Sequence, residues 1–280
     1  MPLTNYHTHC FYCDGAGNPE DYVGEAISKG FAAFGFSSHA PLPIPVDWLM
    51  DESDVEKYCD HIRSLKEIHK ETLQIYLGLE IDFVPGISGP RSPKFTELGL
   101  DYTFGSVHFL KLEKDVQYTV DGPSEEFEEA LEKEFRGNAV RLVSTYYEYM
   151  RQMVTQQAPD IVGHFDVVKK NNSNGKFFNT GESWYKNQVM ETIETISGSD
   201  SILEINTGGL ARGYADAIYP EPWIVSECFN HDIRISINSD AHNAAHIDFA
   251  FDQARKIMLD AGYEEQWVFL DDEWQGVSIL

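Results

Sequence analysis

Leu3-Thr4-Asn5-Tyr6-His7-Thr8-His9-Cys10 stands near the start of the chain, a short strand-like run ending in two histidines one residue apart. In an extended strand residues i and i+2 point to the same side, so His7 and His9 can aim at one point. A histidine at the end of a buried strand has two ring nitrogens to satisfy, and a shared metal ion does that. Taken alone, the pair reads as surface or hydrogen-bonded histidines. Its weight depends on what stands at the ends of the other apolar runs.

Six further runs follow: Phe31–Ser37, Leu73–Phe83, Tyr102–Phe109, Ile161–Phe165, Ser201–Asn206 and Ile233–Asn238. They are nearly continuous in apolar residues, as parallel strands buried on both faces are. Amphipathic segments lie between them. Pro19–Lys29 follows Asn18, a good N-cap, and ends before Gly30. Val55–Thr72 places Val55, Tyr58, Cys59, Ile62, Leu65 and Ile68 on one face. Helices are also expected over Ser124–Phe135, Ala139–Gln157, Gly181–Ser197, Pro222–Asn230 and Ile247–Ala261. Seven strand–helix units predict an α/β fold of the (β/α)7 type, a TIM-like parallel barrel closed or nearly so, with an open doubly wound sheet as the alternative. Residues 1–280 read as a single domain with an insertion at about 111–137, expected to form a surface cap. The tail from Trp267 to Leu280 is expected to pack across one end.

The chain has ten histidines. His7, His9, His39, His108, His164 and His242 lie at or just past the C-terminal end of an apolar run. His61, His69, His231 and His246 lie in or beside helical segments. In a parallel barrel all strand C-termini gather on one face, so the first six converge. Asp14, Glu80 and Asp240 fall at the same positions. Glu80 sits inside an apolar run, where an acid needs a partner or a metal. Nine such ligands are too many for one ion, since zinc, iron and manganese take three or four protein ligands plus water. The count fits two to three divalent ions with Glu80 as a bridge, and the imidazoles favour zinc, iron or manganese over magnesium or calcium.

The totals narrow the remainder. With 21 Lys and Arg against 46 Asp and Glu, the net charge is −25. This disfavours nucleic acid and anionic membrane as partners, and bound cations would offset part of it. No run of about 18 apolar residues is present, so no membrane span is expected. No signal peptide is expected, and a cytoplasmic protein with four reduced cysteines fits. Cys10-x-x-Cys13 has a redox spacing but lacks the second pair of a zinc ribbon. Phosphate-binding glycine loops and nucleophile elbows are absent.

His7-Thr8-His9, His39 in Ser-Ser-His-Ala-Pro, Glu80 in Gly-Leu-Glu-Ile-Asp, His108 in Gly-Ser-Val-His-Phe, His164 in Gly-His-Phe-Asp, and Asp240 with His242 in Ser-Asp-Ala-His together resemble the polymerase-and-histidinol-phosphatase (PHP) superfamily. Within it they look most like the stand-alone histidinol-phosphate phosphatases. The resemblance implies a distorted barrel with a trinuclear centre. One ion would take His7, His9, Glu80 and Asp240; a second Glu80, His108 and His164; a third Asp14, His39 and His242. Asp14 is the loosest of the nine, because some relatives place a histidine there.

The implied reaction is phosphomonoester hydrolysis, most simply of histidinol phosphate in histidine biosynthesis. Ions held by Glu80 would lower the pKa of a water, and Asp240 or His242 would protonate the leaving alkoxide. Arg212 in Gly208-Gly209-Leu210-Ala211-Arg212-Gly213 suits a bidentate phosphate contact. Lys169 and Asn206 are further candidates to hold the substrate, with Lys170 as the alternative to Lys169. Asp166 could orient a ligand imidazole. Phe11, Tyr12, Trp48 and Phe83 could line a pocket. The partner expected is a small phosphorylated metabolite. Two alternatives remain open: a PHP phosphoesterase acting on nucleotides, oligonucleotides or phosphotyrosine, and a non-catalytic metal-binding module.

Overall fold

The computed structural model describes residues 2–44, 46–113, 116–213 and 216–280. The seven apolar runs become seven parallel strands, with helices in most of the crossovers. In order the elements are β1 (Leu3–Asn5), α1 (Pro19–Ser28), β2 (Phe31–Phe36), α2 (Val55–His69), β3 (Gln74–Asp82), α3 (Pro93–Thr96), β4 (Tyr102–Ser106), β5 (Phe109–Glu113), β6 (Val116–Thr119), α4 (Ser124–Lys133) and α5 (Ala139–Gln157). Then follow β7 (Ile161–Val162), α6 (Ser183–Ser197), β8 (Ile202–Asn206), α7 (Gly208–Ala211), α8 (Pro222–Asn230), β9 (Ile235–Asn238), α9 (Phe251–Ala261), β10 (Glu265–Leu270) and β11 (Glu273–Ser278).

The sheet order is β1-β2-β3-β4-β7-β8-β9. Past the strand ends the first and last strands meet: His9 N–H donates to the Ala241 carbonyl at 2.9 Å, and Ala241 N–H to the His7 carbonyl at 3.2 Å. The sheet is thus a distorted TIM-like barrel, nearly closed, and the open-sheet alternative falls. Closure brings the residues after β1 and β9 side by side.

Several strands are shorter than their apolar runs, because side chains take backbone donors at the rim. Asn238 Oδ1 accepts from Tyr6 N–H at 2.7 Å, and Asn5 Oδ1 from His7 N–H at 3.1 Å, so β1 stops at Asn5. Glu204 accepts from His164 N–H at 2.9 Å, so β7 has only two residues. The run Tyr102–Phe109 splits, since Phe109 opens the β5–β6 hairpin rather than extending β4. The hairpin and α4 occupy the long excursion; its Lys114 and Asp115 lie outside the described residues. On α2, Ile68 is 68% exposed, off the buried face. The last helix starts at Phe251 rather than Ile247, because Asn243 caps a 3₁₀ turn and Ala250 is left-handed at φ 57°.

Tyr102 fills the barrel interior. Its hydroxyl donates to the Tyr6 carbonyl at 2.6 Å and the Phe36 carbonyl at 3.0 Å. A Cβ on Gly35 would sit 2.4 Å from that hydroxyl, and one on Gly78 2.5 Å from the ring, so both positions need glycine. The antiparallel β10–β11 pair closes the end opposite the histidines, packing Val268 and Phe269 against Tyr6, Tyr76 and Tyr102. Among the described residues no helix is long and apolar enough to cross a membrane.

Candidate metal centre

The barrel carries all nine expected ligands to one rim. His7 and His9 follow β1, with Asp14 in the next turn. His39 follows β2, Glu80 lies in β3, His108 follows β4 and His164 follows β7. Asp240 and His242 follow β9. Seven of the nine are buried; Asp14 and His242 are partly open, at 36% and 18% of their side chains. Two backbone features permit the convergence. A Cβ on Gly15 would lie 2.3 Å from the His9 carbonyl, so glycine lets the Asp14 turn fold back on the strand. Asp240 is left-handed, φ 47°, and Gly208 leaves it room, since a Cβ there would meet the Asp240 Cβ at 2.8 Å.

Glu80 is central. Its Oε2 faces His39 Nδ1 at 2.9 Å, His7 Nε2 at 3.2 Å and His9 Nε2 at 3.5 Å. Its Oε1 faces His164 Nε2 at 2.9 Å and His108 Nε2 at 3.6 Å. Asp240 Oδ1 lies 3.2 Å from His9 Nε2 and 3.4 Å from His242 Nδ1. Asp14 Oδ1 lies 3.2 Å from His242 Nε2 and 3.8 Å from His39 Nε2.

Hydrogen bonds do not account for this crowding. His7 Nε2, His9 Nε2, His39 Nδ1 and Glu80 Oε2 are buried and have no hydrogen-bond partner among the described residues. Such atoms are rare in native proteins and costly, and shared cations would satisfy them. His108 Nε2 and His164 Nε2 are 3.1 Å apart. Two nitrogens on one tetrahedral ion, each about 2.0–2.1 Å from it, stand roughly 3.3 Å apart. The donor set therefore fits divalent ions.

Three overlapping groups have donor atoms within 4.8 Å of one another: His9, Asp14, His39 and His242; His7, His9 and Asp240; and His39, Glu80 and His108. The site can hold more than one ion. The grouping differs from the one the resemblance implies, because His9 and His39 each stand in two groups. His164 stays beside Glu80 and His108 by distance.

The electrostatics suit cations. Burial disfavours charge on Glu80, yet His39, His7 and His108 hold its carboxyl well below the usual range. Burial also opposes ionisation of Asp240, and Arg212 and His7 outweigh it. Burial works against protonating His108, but Asp82, Asp121 and Glu80 raise it to about 10. His7 is raised against burial by Glu204, Glu80 and Asp240. His9 goes the other way, held low by burial and by His242 and His39. Metal entry would displace protons from His7 and His108.

A second set of contacts orients the candidate ligands. Glu204 Oε1 lies 2.6 Å from His7 Nδ1, and its Oε2 accepts from Asn206 Nδ2 at 2.9 Å as well as from His164 N–H. Asp82 Oδ1 lies 2.9 Å from His108 Nδ1. Ser106 Oγ donates to Glu80 Oε1 at 2.6 Å. Cys13 Sγ, one of four free cysteine sulfurs, lies 3.6 Å from His9 Nδ1. Sequence reasoning missed Glu204 and Asp82, although both are acids inside apolar runs, the signal that exposed Glu80.

The centre opens into a cavity of about 1000 Å³, whose wall includes Trp48, Asp121, Lys170, Lys176, Arg212 and Tyr219. Arg212 donates to Asp240 Oδ2 at 2.9 Å and lies 2.5 Å from His242 Nδ1, which places it beside the candidate ligands. Two expected substrate contacts are placed elsewhere. Lys169 pairs with Asp166 at 2.7 Å and Glu221 at 3.2 Å, away from this cavity, and Lys170 lines the wall instead. Asn206 is fully buried, and its amide donates to Glu204 and Asp240, so it supports a candidate ligand. Asp166 likewise serves Lys169 and not an imidazole. Of the four aromatics, Trp48 lines the cavity, its ring 4.7 Å from that of His39. Phe11 is 48% exposed and Phe83 is core; Tyr12 packs on Tyr58 and His61.

A parallel barrel with clustered imidazoles and carboxylates at its C-terminal rim defines a metal-binding α/β-barrel protein. Residues 5–208 match the PHP domain. The chain belongs to that family. It is 28% identical over 271 residues to a histidinol-phosphatase of Bacillus subtilis, covering 90% of this chain and 98% of the relative. A solved chain from Listeria monocytogenes has the same fold, with TM-score 0.76, 21% identity, and 90% of this chain and 99% of that one covered. A histidinol phosphate phosphatase from Lactococcus lactis, solved with zinc, L-histidinol and phosphate, has TM-score 0.70 and 20% identity, with 97% and 98% covered.

Proposed function

We propose that this chain is a metal-dependent phosphatase that hydrolyses histidinol phosphate to histidinol and phosphate. The observation that carries the reading is the Glu80-centred cluster of unpartnered buried donor atoms opening into a cavity walled by Arg212, Lys170 and Lys176. The names of the relatives supply the substrate, and the Lactococcus structure holds zinc and both products in a fold of this kind. Divalent ions, when bound, supply Lewis acidity and lower the pKa of a water.

The chain's residues do the rest. Glu80 presents one oxygen toward His7, His9 and His39 and the other toward His108 and His164. Glu204 and Asp82 fix the ring orientation of His7 and His108, leaving each Nε2 aimed inward. Arg212 offers its guanidinium to phosphate oxygens at the edge of the cluster. Asp240 is held ionised by Arg212 and suits a ligand better than a proton donor. The leaving alkoxide therefore takes its proton from His242, whose ring is partly open to the cavity. A cytoplasmic setting belongs to the same reading, supported by four free thiols.

A panel of phosphomonoesters assayed with added zinc or manganese tests the proposal. Preferred turnover of histidinol phosphate is expected. Preference for nucleotides, oligonucleotides or phosphotyrosine would move the substrate elsewhere, and no turnover with any ion would leave a metal-binding module.

A further inference from the structure

The excursion between β4 and α5 contributes Thr119, Asp121, Gly122, Pro123 and Ser124 to the wall of the metal cavity. Of the acids on that wall, Asp14, Glu80 and Asp240 stand in the candidate ligand groups, and Asp121 does not. Among the described residues Asp121 forms one ion pair, with Lys170 Nζ at 3.9 Å, a separation that leaves its oxygens without a hydrogen bond from them, and a cation that enters with the phosphate would meet it there. Histidinol phosphate has one: an ammonium group one carbon from the ester-bearing carbon, beside an imidazole. We propose that Asp121 is the specificity residue that receives the cationic leaving group, an assignment that rests on the histidinol-phosphate reading.

The geometry holds Asp121 ready for this. Val120 N–H donates to the His108 carbonyl at 2.8 Å, so the residue next to Asp121 is tied to a candidate ligand. Below the turn, Glu126 Oε1 accepts from Thr119 N–H at 2.7 Å and from its hydroxyl at 2.9 Å. Gly122 N–H donates to Thr119 Oγ1 at 3.1 Å. From the next stretch of the wall, Lys170 Nζ donates to the Asp121 backbone carbonyl, and Asn171 Nδ2 to the Gly122 carbonyl at 3.0 Å. The carboxylate itself is 3.9 Å from Lys170 Nζ and accepts no hydrogen bond from the described residues. The main chain is pinned on both sides while the side chain remains 29% exposed toward the cavity. A bound ammonium would complete it with a charge-assisted hydrogen bond.

The test compares Asp121→Asn with wild type on histidinol phosphate and on 4-nitrophenyl phosphate, which carries no cation, both with saturating zinc. Loss of one hydrogen bond to a charged group predicts a fall of about 10- to 100-fold in the ratio of the two kcat/KM values. Inhibition by L-histidinol should weaken by a similar factor, relative to inhibition by inorganic phosphate. A ratio within about twofold of wild type overturns the assignment, whether both activities hold or both fall together; a shared fall would mean that Asp121 acts through Lys170 or the fold. Wild-type protein that hydrolyses 4-nitrophenyl phosphate but not histidinol phosphate would overturn the reading of the function itself, and this assignment with it.

Discussion

Glu204 sits fully buried in β8 and touches two candidate ligands and the amide of Asn206. If His7 binds an ion through Nε2, its Nδ1 must carry the proton, and Glu204 is the acceptor that fixes this tautomer. Glu204→Gln keeps the shape and removes the charge. It is expected to weaken metal affinity about 10- to 100-fold, measured by competition with a chelating dye; unchanged affinity would contradict the role. His242 has two candidate roles that one nitrogen cannot fill together. His242→Asn should keep the metal content and lose turnover of alkyl esters while sparing 4-nitrophenyl phosphate, whose leaving group needs no proton. Loss of a metal equivalent instead would make His242 a ligand. The candidate ligands were legible because histidines and acids at strand ends stand out from apolar runs. Glu204 and Asp82 were not recognised, since each lies within a run beside a more conspicuous motif. Nor could adjacent Lys169 and Lys170 be told apart, because the 3₁₀ turn over Val167–Lys169 decides which one reaches the cavity.

The strands were legible as units, and their ends were not. Periodicity shows where apolar residues lie, but Asn5, Asn238 and Glu204 stop the ladders by taking backbone donors from across the barrel. The β5–β6 hairpin escaped because Phe109 continues the apolar run of β4 while its backbone turns away. Inside the barrel, Gly35 and Gly78 make room for one ring, that of Tyr102. Gly78→Ala would force that ring or a strand aside, an overpacking expected to cost about 1–3 kcal/mol. A lower urea midpoint at unchanged slope would show it; an unshifted midpoint would mean that the barrel relaxes freely.

At the scale of the whole molecule, the metal-free fold holds opposing charges in one buried cluster, and its stability follows both sides of it. Glu80 and Asp240 are depressed in the fold, so their contribution is present above the unfolded carboxylate range, about pH 4, and is lost as pH falls. His108 is raised, so its contribution is full below about pH 6.5 and is lost as pH rises through about 10. His9 is depressed, so stability also falls as pH drops below about 6.5, where the unfolded chain would protonate it. Chelated protein should therefore melt highest near about pH 6.5, and bound metal should remove the alkaline decline by replacing the His108 proton. A chelated protein that melts highest above pH 8 would contradict the cluster's charge balance. If several ions share this rim and serve phosphoester hydrolysis, turnover must follow metal stoichiometry. Phosphate release from histidinol phosphate, measured as zinc is titrated into chelated protein, tests it directly. Activity should rise and saturate at two or three equivalents per chain; saturation at one equivalent, or no activity at any ratio, would rule out a shared multi-ion centre.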